Sequence, residues 1–173
     1  MALADAPLLY AFEIESSEDF TFIPMIVRFH LDYAGLRISL AQWQCLPLEA
    51  RRLLCRFPAD ADAGTWSGAG TAAGVDPGSD AAASFEATLH ALLARQAAGE
   101  AERFAPEPAP AWRDGAAPPP ALAAQCALAG LAPVAPAQWR ALGGFQRYVL
   151  TKLSRKPKLN HDFVPAMREF GLA

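Results

Sequence analysis

The stretch GLRISLAQWQCLPLEARRLL, from Gly35 to Leu54, decides the reading of this chain because it recurs. From Gly130 to Leu150 the sequence reads GLAPVAPAQWRALGGFQRYVL. Gly35-Leu36 answers to Gly130-Leu131, and Ala41-Gln42-Trp43 answers to Ala137-Gln138-Trp139. Leu46, Arg51 and Leu54 answer to Leu142, Arg147 and Leu150. The second copy carries one extra residue between its Gly and its Trp. In both places the Gly follows a helical pattern, where a residue past the helix end must take the left-handed conformation that Gly adopts cheaply. The Trp and the Leu three residues later share one helical face. Pro47 suits the first position of the helix that follows. Each unit is therefore a helix, a Gly turn, a short Trp helix, a sharp turn and a longer Arg/Leu helix. Neither unit has enough apolar area alone, so the two are expected to bury their Trp faces against each other.

The whole composition agrees with a helical protein. At 173 residues the chain fits one domain. A chain of this size buries about 70% of its unfolded surface, enough for a core without disulfides. Charged residues make up only 19%, and alanine, the best helix former, fills much of the difference. The net charge of −3 argues against a general nucleic-acid binder. The first twenty residues hold Asp5, Glu13, Glu15, Glu18 and Asp19 and no Lys or Arg, unlike a signal peptide. No apolar run approaches the roughly 20 residues that span a bilayer. A soluble, cytoplasmic protein is expected. Cys45, Cys55 and Cys126 are widely spaced among apolar neighbours, which is the pattern of small core residues.

Taken in order, Leu8 to Ile14 reads as coil packed over helices, and Ser16 to Phe22 as an acidic turn. In IPMIVRFHLDYAGL, Val27, Phe29, Leu31 and Tyr33 alternate with Arg28, His30 and Asp32, a strand-like pattern. Pro24 and Gly35 nevertheless sit where a helix begins and ends. The corresponding segment of the second copy is plainly helical, so 24–34 is read as helix. Ser39 caps a Trp helix over 40–46, and 48–57 forms the next. Together these make a first unit over 15–58. Residues 59–78, rich in Ala, Gly and Asp, form a flexible loop. A long helix runs over 79–104, with Gly99 as an early stop. Residues 105–120 form a Pro-rich connector that Trp112 pins to the body. Residues 121–173 supply the second unit, with helices at 121–129, 136–142 and 145–155. A C-terminal helix over 162–170 turns Phe163, Met167 and Phe170 inward. The expectation is a single all-α domain, a bundle of six or seven helices built from two related Trp-containing units.

No residue set points to a reaction. His30, His90 and His161 are scattered, no Ser or Cys nucleophile has a diagnostic spacing, and HExxH, P-loop and GxGxxG motifs are absent. No catalytic or metal site is expected. The strongest polar feature is basic: Arg147, Lys152, Arg155, Lys156 and Lys158 crowd one region of an acidic protein. Three readings stand beside one another: a solvated face at a helix C-terminus, internal pairing with the acidic N-terminus, or a docking surface for an acidic partner or anionic group. Structural roles are assigned to Arg28, Asp32, Gly35, Trp43, Arg51 and Trp139. Asp32, four residues after Arg28 on one helix, is that arginine's expected partner.

FIPMIVRFHLDYAGLRISLAQWQCLPLEARRLL, from Phe22 to Leu54, and APAQWRALGGFQRYVLTKLSRKPKLNHDFVPAMREFGL, from Ala135 to Leu172, resemble the nitrate reductase associated protein family of bacteria. The residues that carry it are Pro24, Arg28, Leu31, Asp32, Gly35 and Trp43 in the first block. In the second they are Trp139, Arg147, Lys152, Leu153, Ser154, Arg155, Phe163 and Phe170. The middle, 58–110, carries no part of this resemblance. The family goes with assimilatory nitrate reductase, a cytoplasmic molybdenum enzyme, and none of these positions is a known active-site residue. The resemblance therefore implies a non-catalytic accessory or maturation protein that needs no cofactor of its own. Its partner would be nitrate reductase or its maturation machinery, with no nucleic acid and no membrane involved. The alternative is a small-ligand or molybdopterin-type cofactor-binding protein that uses the basic C-terminal region. Oligomeric state is not legible.

Overall fold

A computed structural model describes residues 3–17, 19–59 and 84–173. The described residues form helices α1 (Ala11–Ser17), α2 (Met25–Ala34), α3 (Leu40–Cys45), α4 (Leu48–Leu54) and α5 (Phe85–Arg95). These are followed by α6 (Pro120–Leu128), α7 (Pro136–Ala141), α8 (Gly144–Leu153) and α9 (Phe163–Glu169). Strands β1 (Leu36–Arg37) and β2 (Glu102–Arg103) make the one small antiparallel pair among these residues. The fold is an all-α bundle. It has nine helices among the described residues rather than six or seven.

The alternation in α2 has a physical source. Ile26, Val27 and Leu31 enter one hydrophobic cluster, with Trp43, Leu46, Leu54 and Leu89. Phe29 enters another, with Leu122, Trp139, Tyr148 and Phe163. A helix buried on two sides loses its single apolar stripe, and here the remainder mimics a strand. Its ends are as read: Pro24 stands at the N-cap, and Gly35 is left-handed at φ 66°. A Cβ at Gly35 would lie 2.5 Å from the Phe104 carbonyl oxygen. That close approach is where the chain of β2 meets the end of α2, since Phe104 N–H donates to Gly35 O at 2.9 Å.

The two Trp units fold alike. Trp43 and Trp139 are both fully buried. Gln42 and Gln138 each accept the backbone N–H at the N-cap, from Ser39 and Ala135, both at 2.9 Å. Only Ser39 returns the bond through its hydroxyl, at 3.1 Å, because Ala135 has no side-chain oxygen. Trp43 Nε1 donates to Phe20 O at 2.7 Å, and Trp139 Nε1 donates to Asp114 O at 2.7 Å. Arg51 Nη1 donates to the same Phe20 carbonyl at 2.8 Å, and Arg147 lies against Gly115, where a Cβ would come within 2.7 Å of its Nη1. In each unit the Arg eight residues after the Trp thus closes on the loop that the indole holds. The two Trp faces do not pack on each other, however. Each indole has its own cluster, and Phe145 touches both.

Other expectations change. Residues 11–17 are helical rather than coil or turn, because the Glu169 carboxylate of α9 accepts the N–H groups of Ala11 at 2.8 Å and Phe12 at 3.2 Å. Helix termini leave such donors unsatisfied, and a distant carboxylate caps them here. The helix expected over 79–104 is seen from Phe85 and ends at Arg95, after which Ala97 and Gly99 take positive φ. Glu102 and Arg103 then pair with Arg37 and Leu36 as β2. The loop expected at 59–78 falls outside the described residues, except for Ala59. Trp112 does pin the connector: its ring meets Phe29 edge-on at 5.5 Å and Tyr148 at 5.8 Å.

Candidate functional site

The basic residues sort into two groups. Arg147 is half-buried against the Asp114–Gly115 turn, and its Nε is buried without a hydrogen-bond partner. Lys152 points inward, and its Nζ lies 2.5 Å from Asp32 Oδ2, with side-chain exposures of 18% and 36%. These two belong to the bundle rather than to an open patch. Arg155, Lys156 and Lys158 are exposed, and no ion pair to them is found among the described residues. A hydrogen-bonding side chain ties down the backbone of the two lysines. The buried Gln125 of α6 donates through Nε2 to Lys156 O at 2.7 Å and Lys158 O at 2.8 Å, and its Oε1 accepts Asn160 N–H at 3.3 Å. A mid-helix amide facing a loop thus fixes where the cations stand. Nothing in the local pattern of PALAAQCAL marks that role.

The expected Arg28–Asp32 pair is not made. Arg28 Nε donates to Ile23 O at 2.7 Å, back across the start of α2. Asp32 instead faces α8. Its Oδ2 accepts from Tyr148 Oη at 2.6 Å as well as from Lys152. A residue one helical turn away has to compete with two donors offered by the neighbouring helix. A buried phenol without an acceptor costs about 1–3 kcal/mol, which outweighs an exposed i,i+4 pair of about 0.2–0.5 kcal/mol. Burial, then the Asp32 charge, pushes the Tyr148 phenol far above its ordinary range, so it stays a donor and cannot serve as a base. Burial pushes the Lys152 amine down, while Asp32 opposes that shift.

Two clefts share Lys152 and Arg155. One, of about 290 Å³, lies between α2, α8 and the connector, with Asp32, Trp112, Arg113 and Tyr148 on its walls. Arg113 lies over the rings of Tyr33 at 5.5 Å and Trp112 at 5.1 Å. The other, of about 510 Å³, lies between α1, α2 and the segment joining α8 to α9, and adds Arg28, Lys156, Phe22 and Met25. Glu13 also reaches it. The Glu13 carboxylate is buried and accepts the N–H of Met25 at 2.7 Å and of Tyr10 at 3.3 Å, so it caps α2, whose own N-cap is a proline.

Burial raises the pKa of Glu13. With the folded value above the unfolded one, this group's contribution is most favourable in acid and is lost as pH rises through the raised value. Glu13→Gln keeps an acceptor for Met25 N–H but does not titrate. Its denaturation free energy, followed from about pH 4 to pH 8 across the ordinary carboxylate range, should fall less steeply with pH than that of the parent. An unchanged slope would remove Glu13 as the cause.

The histidines stay apart: His30 meets Phe57 O at 3.0 Å, His90 lies 3.8 Å from Glu86, and His161 lies 3.1 Å from Asp162. Among the described residues, no group of three His, Cys, Asp or Glu side chains is placed to hold a metal ion. Burial pushes the Cys55 thiol up to about 12, and Cys126 is raised as well. Cys45 is exposed rather than buried. No helix of the described residues is long and apolar enough to cross a membrane.

A search of curated proteins and a search of solved structures both find no match to the chain. A family match does exist, over residues 9–67 and 73–170. It takes in the first resembling block, the second as far as Phe170, and much of the middle, 58–110, which on sequence reading carried no resemblance. Since it spans most of the chain, the protein belongs to the family of conserved nitrate reductase-associated proteins.

Proposed function

We propose that this protein is a cytoplasmic, non-catalytic accessory protein of nitrate assimilation that acts by binding nitrate reductase or a maturation intermediate of it. The observation that carries the proposal is the cation loop. Arg155, Lys156 and Lys158 are exposed on a segment that Gln125 binds through the carbonyls of Lys156 and Lys158, on a chain of net charge −3. A structural role would not require cations there, because none is bound to a carboxylate among the described residues. Fixed cations on an acidic protein give orientation to an encounter, as complementary charge steers association. The occupied polar groups beside Lys152 fit a binding role: the Tyr148 phenol holds its proton and Asp32 is engaged by two donors.

The test is co-purification with the reductase from nitrate-grown cells, followed by affinity measurement. The variant Arg155→Glu/Lys156→Glu/Lys158→Glu should bind at least about tenfold more weakly, mainly through a slower on-rate, with its melting temperature unchanged. A parent chain that does not bind the reductase at low salt would overturn the proposal. The 290 Å³ cleft favours a second reading, a small-ligand or molybdopterin-type cofactor-binding protein, because Trp112 and Tyr148 flank Lys152 and Arg155 there. Thermal-shift measurements with phosphorylated pterins, nucleotides and nitrate decide between the two.

A further inference from the structure

The second cleft says more about the partner. Arg28 comes from α2, Lys152 from α8, and Arg155 and Lys156 from the segment after it, so three parts of the chain bring four cations to one opening. Two carboxylates line it too. Both oxygens of Glu13 are engaged by the N–H groups of Tyr10 and Met25, and Asp162 stands beside His161. The positive charge is therefore in excess. The cations also act on one another: Arg155 and Arg28 both help depress the pKa of Lys152, and Asp32 is its one ion-pair partner among the described residues. Such a cluster is relieved by an anion arriving from outside.

The rest of the wall is apolar. Phe12, Phe22, Ile23, Met25 and Leu153 face the same opening. Phe22 is 52% exposed, so its ring forms an open apolar edge of the cleft. Small ligands are held in clefts that bury most of their surface. An opening edged by a half-exposed aromatic ring fits a chain segment laid across it better.

We propose that this cleft receives an acidic segment of the partner that also carries a bulky apolar side chain. The carboxylates meet Arg28, Arg155 and Lys156, and the apolar side chain covers Phe22 and Met25. This rests on the reading that the protein binds the reductase, and it adds where and by what chemistry. The occupant is a peptide segment of the partner protein. Apolar and charged contacts at one site give specificity that a cation loop alone does not.

The experiment measures affinity for purified nitrate reductase with five forms of the 173-residue chain: the parent, Phe22→Ser, Arg28→Gln, the triple loop variant, and Arg95→Glu as a charge control at the exposed end of α5. Phe22→Ser alters a half-exposed side chain and should leave the fold intact. Arg28→Gln gives up the bond to Ile23 O, so its melting temperature is measured alongside. Phe22→Ser and Arg28→Gln should each weaken binding about tenfold, the first independently of salt and the second most strongly at low salt. Arg95→Glu should bind as the parent does. If Phe22→Ser binds like the parent while the triple loop variant loses affinity, the cleft assignment falls and the accessory reading stands. If the parent does not bind the reductase, both fall together.

Discussion

Trp43→Ala is expected to lower the free energy of unfolding by about 3–5 kcal/mol. The indole is fully buried, and its N–H donates to Phe20 O at 2.7 Å. Phe20 itself has a positive φ of 54°, which a bulky residue adopts only under constraint. Two donors, Trp43 Nε1 and Arg51 Nη1, hold its carbonyl. Truncation therefore opens a cavity and also releases a strained loop. Small domains have only about 5–15 kcal/mol in total, so the variant sits near the edge of folding. Trp43→Phe keeps most of the volume and loses one hydrogen bond, with an expected cost of about 1–2 kcal/mol. Urea denaturation measures both. A loss below about 1 kcal/mol for the alanine variant would show that the Trp is not a core anchor. The double variant Trp43→Phe/Trp139→Phe separates two pictures of the core. Because each indole lies in its own cluster, the two losses should add to within about 0.5 kcal/mol. Indoles packed face to face would give a clear coupling instead.

The second large effect is expected at Asp32. Asp32→Ala removes the acceptor of the buried Tyr148 hydroxyl and the counter-charge of Lys152 together. Breaking a buried ion pair by removing one partner costs about 3–5 kcal/mol. Asp32 is one-third exposed, so water recovers part of this, and about 2–3 kcal/mol is expected. Tyr148→Phe alone should cost about 1 kcal/mol. Adding Lys152→Met and Tyr148→Phe to Asp32→Ala should restore much of the loss, because no unpaired polar group then remains. The pH dependence has a definite sign. The folded-state pKa of Lys152 lies below its ordinary value, so the protonated amine opposes folding at neutral pH. That cost disappears as pH rises through the folded value toward the unfolded one. Asp32 is what raises the Lys152 pKa against burial, so its removal should steepen the gain in stability on the alkaline side. Denaturation at pH 7 and in the alkaline range checks this, and a pH-independent difference would exclude Lys152 as its source.

Much of the fold was legible because it rests on local chemistry. Ser39 marks the start of α3 as its N-cap, through a bond spanning three residues. Gly35 marks the end of α2 because only a left-handed residue closes it there. The eight-residue spacing from Trp43 to Arg51, repeated from Trp139 to Arg147, predicted matched units, and both arginines reach the loop that the indole holds. The candidate site was half legible. A basic cluster was visible by composition, but Arg147 and Lys152 lie on α8 and turn toward the bundle, whereas Arg155, Lys156 and Lys158 follow the end of that helix and are exposed. Arg28 and Phe22, which complete the second cleft, gave no signal as site residues, because Lys152, Arg155 and Lys156, which join them there, are more than a hundred positions away in the chain.

By itself the sequence determined the ends of α2, the start of α3, the matched Trp and Arg positions and the family, all of which depend on residues within a few positions of one another or on their order. Only the tertiary structure decided that Glu169 would cap α1, that Asp32 would choose Tyr148 and Lys152 over Arg28, and that the two indoles would lie in separate clusters. The reason is that a side chain with several possible partners takes whichever best removes a buried unsatisfied group, and burial is a property of the packed chain, not of any stretch of it.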